Sequence, residues 1–185
     1  IASSDRTKLH SYKAMGLVAD TFNKDILKKL YGQAAIGHVR YSTAGGSNIK
    51  NAQPFVVDYS MGGIAVAHNG NLVNARLLKD ELEAYGSIFQ SSMDTEVIVH
   101  LIATSKASTL IEGIIYVLKR VKGAYSLLFL SEDQMIAVRD PNGFRPLVLG
   151  KLKDAWVVAS ETCAFDLIEA EYVREIEPGE ILLID

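Results

Sequence analysis

Apolar positions along this chain repeat with two different periods, and the change from one to the other divides it. Leu17, Val18, Phe22, Ile26, Leu27 and Leu30 suit two short helices within 17–30. The stretch 74–85 predicts a longer helix, with Leu77, Leu78 and Leu82 on one face and Gly86 as its stop. Val97, Ile98, Leu101 and Ile102 predict a helix over 94–104, and Leu110, Ile111, Ile114, Ile115 and Leu118 repeat that stripe over 110–118. Between these lie short, nearly continuous apolar runs of the kind buried strands show. One covers 34–41 and leads into the loop 42–46; another covers 64–68 and is stopped by Asn69-Gly70-Asn71, a strong turn signal. The stretch 7–15 predicts a further short strand. From Ala124 onward the runs 125–130, 135–139, 147–152 and 155–159 are β-rich and separated by polar or Gly/Pro turns, so they read as consecutive hairpins. Residues 180–185 read as a last strand. Strands gather at both ends with helices between them and no regular βαβ alternation. That order predicts an α+β architecture, helices packed on mainly antiparallel sheet.

Composition narrows the class without naming a function. The 185 residues are 49% hydrophobic and 22% charged, the balance of a globular chain, and suggest one domain. Such a chain can bury roughly 70% of the surface it exposes when unfolded, so a core needs no staples. A net charge of −3 argues against a nucleic-acid partner. No run of apolar residues is long enough to predict a membrane span. A single cysteine, Cys163, permits a reducing compartment, and the expectation is a cytoplasmic protein. It has no cysteine partner, and His10, His38, His68 and His100 lack metal-type pairing, so no metal is expected in this segment.

Four segments place polar residues at the ends of apolar runs. In Gly37-His38-Val39-Arg40-Tyr41-Ser42-Thr43-Ala44-Gly45-Gly46, an Arg followed by hydroxyls and paired glycines is suited to gripping a carboxylate; a salt-bridged Arg beside a loop is the plainer reading. In Ala67-His68-Asn69-Gly70-Asn71-Leu72, Asn69 and Gly70 read either as a tight turn or as two donors aimed at a developing oxyanion. In Ser91-Ser92-Met93-Asp94-Thr95-Glu96, Asp94 reads either as a helix N-cap or as the partner of a ligand ammonium group. The segment 139–147, with Pro-Asn-Gly at its centre, reads as a structural corner.

In order, G-H-V-R-Y-S-T-A-G-G, N-A-Q-P-F, A-H-N-G-N-L-V-N-A and S-I-F-Q-S-S-M-D-T-E resemble the glutamine amidotransferase domains of the amidophosphoribosyltransferase family. The likeness continues through K-G-A-Y-S, D-P-N-G-F-R-P-L, A-S-E-T-C-A-F-D and E-P-G-E, nearly the whole chain. The resemblance implies the four-layer αββα sandwich of N-terminal nucleophile hydrolases. It implies that Arg40, helped by Thr43, binds the glutamine α-carboxylate, that Asp94 holds the α-ammonium, and that Asn69 and Gly70 form the oxyanion hole. Tyr41 is implied near the path by which ammonia leaves. Met93 departs from the Ser usual before the Asp-Thr-Glu triplet.

The nucleophile the family implies is an N-terminal Cys whose own α-amino group is the base. The chain opens Ile1-Ala2-Ser3-Ser4-Asp5 and ends inside a predicted strand. The expectation is therefore a glutaminase domain over 1–185, truncated at its N-terminus, continuing past Asp185, and inactive as it stands. Cys163, between a strand and an apolar helical turn with no base beside it, is expected to be a buried core residue rather than a substitute nucleophile. The implied partners are glutamine and a phosphoribosyltransferase domain in the same parent chain, in a homo-oligomer, with neither nucleic acid nor membrane involved. No cofactor is expected in this segment; magnesium is expected with the phosphoribosyltransferase domain, and an iron–sulfur cluster there is left open. Two alternatives stand beside this: a non-catalytic amino-acid-binding or interaction module on the same fold, and another class II amidotransferase.

Overall fold

The computed structural model describes residues 1–40 and 48–185. In chain order its elements are β1 (Ala2–Ser4), β2 (Leu9–Ser11), α1 (Val18–Thr21), α2 (Lys24–Lys29), β3 (Ala34–Ile36), β4 (Phe55–Tyr59), β5 (Gly62–Leu72), α3 (Ala75–Ala84), α4 (Asp94–Thr104) and α5 (Leu110–Leu118). They continue with β6 (Gly123–Leu130), β7 (Met135–Arg139), β8 (Val148–Leu152), β9 (Ala155–Ala159), α6 (Cys163–Ile168), β10 (Glu171–Glu175) and β11 (Ile181–Ile184). A five-stranded antiparallel sheet runs β11-β7-β6-β5-β4, and two three-stranded antiparallel sheets run β2-β1-β3 and β10-β8-β9.

Alternation along β5 explains the layers. Ile64, Val66 and Leu72 face one side, where they bury with Val97, Ile98, Leu101 and Ile102 of α4 and with Ile114 and Val117 of α5. Ala65 and Ala67 face the other side and pack against Ala2 and Ile36 of the first small sheet, while Ala137 of β7 meets Leu149 of the second. Small residues on that face let sheet approach sheet. Beyond the small sheets lie short helices: Phe165 of α6 closes on the backbone of Gly150, and the rings of Tyr12 and Phe22 meet edge to face. Helices, sheet, paired small sheets and short helices make four layers. Burial of each Leu, Ile or Val in the main core contributes about 1.5–3 kcal/mol.

Several sequence expectations need correction. Asn69-Gly70-Asn71 is not a turn: β5 continues to Leu72, pairing Asn69 with Ser126, Gly70 with Tyr125 and Asn71 with Ala124. At Gly70 the backbone has φ +151°, and a Cβ would lie 2.0 Å from the Ala124 carbonyl oxygen, so the glycine serves close strand approach. Of the run 34–41, residues 34–40 are described, and among them only Ala34–Ile36 is strand. Leu77 is exposed; Leu78 and Leu82 are buried in the core from α3, with Ala75 packed against it. The expected hairpins β6–β7 and β8–β9 form, but β7 and β8 lie in different sheets. The 139–147 corner carries the chain between them. There Asp140 is buried and accepts from the N–H groups of Asn142, Tyr125 and Arg145, while Arg139 donates to the carbonyls of Ile176 and Arg145.

Candidate functional site

The site is built on an uncovered edge. Strand β4 pairs with β5 only as far as Phe55 opposite Val66, leaving residues 67–72 of β5 without a neighbouring strand on that side among the described residues. Gln53, which register would set opposite His68, replaces the missing backbone with its side-chain amide. His68 N–H donates to Gln53 Oε1 at 2.6 Å, and Gln53 Nε2 donates to the His68 carbonyl at 3.2 Å. Two strand steps farther on, per-residue alternation is unbroken, and Leu72 N–H donates to Asp94 Oδ2 at 2.9 Å. Residues 68, 70 and 72 direct their N–H groups to the same edge. The Gly70 N–H therefore faces outward between the Gln53 clasp and Asp94, into a cleft of about 820 Å³ lined by Arg40, His68, Asn69, Gly70, Asp94 and Arg145 among others. That volume is within the range of ligand pockets and exceeds a single amino acid.

Asp94 is the first residue of α4, and its N-cap is Met93, which makes no side-chain cap bond. The N-cap position thus belongs to Met93, and the Asp94 carboxylate reaches across to β5, where Leu72 N–H donates to it. Its Oδ1 lies 3.3 Å from Nδ1 of His68. Burial works to raise the Asp94 pKa, but the hydrogen bond and charge of His68 and the backbone N–H groups of Leu72 and Thr95 outweigh it, leaving the group below its ordinary value. It is an anion held ready beside the cleft.

Arg40 is exposed past the end of β3, also lines the cleft, and donates from Nη1 to the Asn51 carbonyl at 3.3 Å. The Asn51 side chain in turn meets Ser92, with Nδ2 donating to Ser92 Oγ at 3.1 Å. The arm that carries Arg40 and the loop that leads into Asp94 are thereby tied together. Asn69 points to the opposite face of the sheet from His68, where its Nδ2 donates to Ser160 Oγ at 3.3 Å. Tyr41 and Thr43 lie outside the described residues. Met93 is buried in the core and also forms part of the cleft wall.

The structure therefore brings Arg40, Asn69, Gly70 and Asp94 to one cleft, and adds residues that motif reading passed over. Gln53 clasps the His68 backbone, while Asn51 and Ser92 bond to each other through their side chains, roles that their places in the N-A-Q-P-F and S-S-M-D-T-E motifs do not announce. His68 did carry a sequence signal, since an imidazole in a strand of Ile, Ala and Val needs a reason. His38, also at the cleft, has its pKa lowered to about 4, chiefly by burial, with the charge of Arg40 adding to it. Cys163 is exposed at the start of α6, not buried, with its thiol 3.8 Å from Glu161 Oε2. The inward position on α6 belongs to Phe165.

A family model described as the glutamine amidotransferase domain matches residues 38–166, which include every residue just named around the open edge of β5. This chain belongs to the glutamine amidotransferase family. Among similar proteins, amidophosphoribosyltransferase 1, chloroplastic, of Arabidopsis thaliana is 54% identical, covering 100% of this chain and 33% of that protein. Amidophosphoribosyltransferase of Bacillus subtilis is 52% identical, with coverage of 100% and 39%. The solved structure of glutamine phosphoribosylpyrophosphate amidotransferase from B. subtilis, complexed with ADP and GMP, superposes with a TM-score of 0.94 at 50% identity. A second, described as the allosteric regulatory enzyme of purine biosynthesis, gives 0.96 at 51%. Each covers 100% of this chain and 40% of its own, so this amidotransferase domain spans between a third and two fifths of such relatives. The α+β, αββα sandwich of the N-terminal nucleophile type is the fold here.

Proposed function

We propose that this domain hydrolyses glutamine and passes ammonia to a phosphoribosyltransferase domain of the same protein, which forms 5-phosphoribosylamine at the first committed step of purine synthesis. The observation that carries the glutamine site is the open edge of β5. It sets an N–H donor, the Gly70 amide, beside an anion, Asp94, with a guanidinium, Arg40, lining the same cleft. An amino acid's carboxylate is met by Arg40, with Thr43 helping, and its ammonium by Asp94. The side-chain amide then lies toward Asn69 and Gly70, with Tyr41 toward the exit of ammonia. Relatives at 52–54% identity over the full chain, named amidophosphoribosyltransferases, support the identity of the acceptor domain.

The nucleophile in this reading is an N-terminal Cys of the mature protein. Its thiol adds to the amide carbon while its α-amino group takes the thiol proton. The tetrahedral oxyanion is met by Asn69 Nδ2 and Gly70 N–H, each worth about 3 kcal/mol. Collapse expels nitrogen as ammonia, which takes the proton, and water then releases glutamate from the thioester. Magnesium, and any iron–sulfur cluster, belong with the other domain of a cytoplasmic homo-oligomer.

The test is to treat the full-length protein with a diazoketone analogue of glutamine and map the adduct. Labelling at an N-terminal Cys, with Cys163 unmodified, is expected. Glutamine-dependent release of pyrophosphate from phosphoribosyl pyrophosphate is expected before labelling and its loss afterwards. An adduct on Cys163, or no glutamine dependence, would overturn the reading.

A further inference from the structure

His68 is the most deeply buried titratable side chain at the cleft, and one half of its ring has no visible purpose. The His68 side chain is 1% exposed and that of Asp94 is 22% exposed, so the imidazole lies behind the carboxylate as seen from the cleft. Its Nδ1 is 3.3 Å from Asp94 Oδ1 and 3.4 Å from the Thr95 hydroxyl. A carboxylate only accepts, so the tautomer with its proton on Nδ1, facing Asp94, is the one that suits this contact. The other nitrogen, Nε2, is buried without a hydrogen-bond partner among the described residues. Burying an imidazole nitrogen without a partner is unfavourable. A histidine retained under those conditions serves what its Nδ1 does.

The backbone supports the same conclusion. His68 is the β5 residue whose N–H and carbonyl are both clasped by the Gln53 amide, so its Cα position is set on the open edge as well as within the β6 ladder. Asp94 is held from two directions, by the Leu72 N–H at Oδ2 and by His68 at Oδ1. With both oxygens oriented, the carboxylate keeps one lone-pair side toward the cleft. Without His68 it would be free to rotate about χ2 and lose that aim.

We propose that His68 is a positioning residue that orients the Asp94 carboxylate for the substrate's α-ammonium group, through Nδ1 alone. The proposal rests on the reading of Asp94 as the ammonium anchor, and its test separates the two. An Asn amide nitrogen occupies the place of the imidazole Nδ1, a Gln amide nitrogen reaches that of Nε2, and Leu keeps the branch at Cγ with no donor. In the full-length protein, KM for glutamine and inhibition by L-glutamate and by glutaramate, which lacks the ammonium group, are measured for each variant. His68→Leu and His68→Gln are expected to raise KM about tenfold or more, the loss of one charge-assisted hydrogen bond, with kcat changed far less. They should weaken L-glutamate but not glutaramate. His68→Asn should restore KM to within about threefold of the parent, as a purely structural role would not require. Retention by Gln with loss in Asn, or equal weakening of both inhibitors by His68→Leu, would overturn the proposal. If His68→Leu does not fold, the Asn and Gln contrast decides alone. Asp94→Asn serves as the separate control. If it leaves the preference for L-glutamate over glutaramate intact, the ammonium reading itself fails; if it abolishes that preference while His68→Leu does not, only the role of His68 fails.

Discussion

Asp94 begins α4, but its carboxylate faces across to Leu72 and His68, and that geometry separates two roles which the sequence leaves merged. A cap would survive Asp94→Asn, because Asn caps nearly as well. An ammonium anchor would not. In the full-length protein Asp94→Asn is expected to raise KM for glutamine about tenfold or more, with a smaller effect on kcat, because the charge meets substrate and transition state alike. Asn69→Ala removes a donor that matters once the amide oxygen becomes negative, and is expected to lower kcat about 10²-fold. Steady-state kinetics at limiting and saturating glutamine distinguish them. The types and order of Arg40, Asn69, Gly70 and Asp94 were legible in the motifs. The supporting roles of Gln53, Asn51 and Ser92 were not, because their partners, the His68 backbone, the Arg40 guanidinium and one another's side chains, are brought near only by the fold.

At the scale of elements, β5 shows why local turn chemistry misled. Asn-Gly is a hairpin signal when both flanking strands end there, but here the partner strand β6 runs on to Gly123 opposite Leu72. The glycine is present for contact rather than for reversal. Gly70→Ala would place a methyl 2.0 Å from the Ala124 carbonyl oxygen in a backbone region that side chains avoid. It is expected to destabilise the fold by about 2 to 4 kcal/mol, read as a lower urea midpoint at unchanged slope. Asn71, an exposed residue of β5 opposite Ala124, is expected to tolerate Asn71→Ala without comparable loss. At α6 the correction runs the other way. Cys163 opens the helix on its exposed side, so Cys163→Ala is expected to shift stability by less than about 0.5 kcal/mol and to retain glutaminase activity. Iodoacetamide should label Cys163 in the folded protein, which a core thiol would resist. Long amphipathic helices α3, α4 and α5 were legible because their stripes are self-contained. The strands β1, β4 and β10 were not, since Ala2–Ser4 is only three residues long and is set by its place between β2 and β3, and Glu171–Glu175 is mostly exposed and is set by pairing with β8.

At the scale of the whole molecule, the four layers converge on the cleft, and one of its residues couples the cleft to overall stability. His38 lies where the first small sheet, the edge of β5 and the Arg40 arm meet. Its folded pKa is about 4, against an ordinary value of 6.5, chiefly because burial disfavours the imidazolium. Between those two values the unfolded chain binds the proton and the folded chain does not. Stability is therefore fully present above the unfolded pKa and is lost as pH falls from there toward the folded one. Between about pH 7 and about pH 5 the expected loss from this group is roughly 1 to 2 kcal/mol, after allowance for partial solvent access. Urea denaturation of the parent and of His38→Gln at the two pH values measures it. The glutamine side chain fills a similar space and does not titrate, so the variant should lose that much less over the same interval. Asp94 does not contribute there, because its lowered pKa keeps it ionised throughout. If the two proteins lose stability in parallel, the acid sensitivity of the fold resides elsewhere and the imidazole of His38 is protonated without cost.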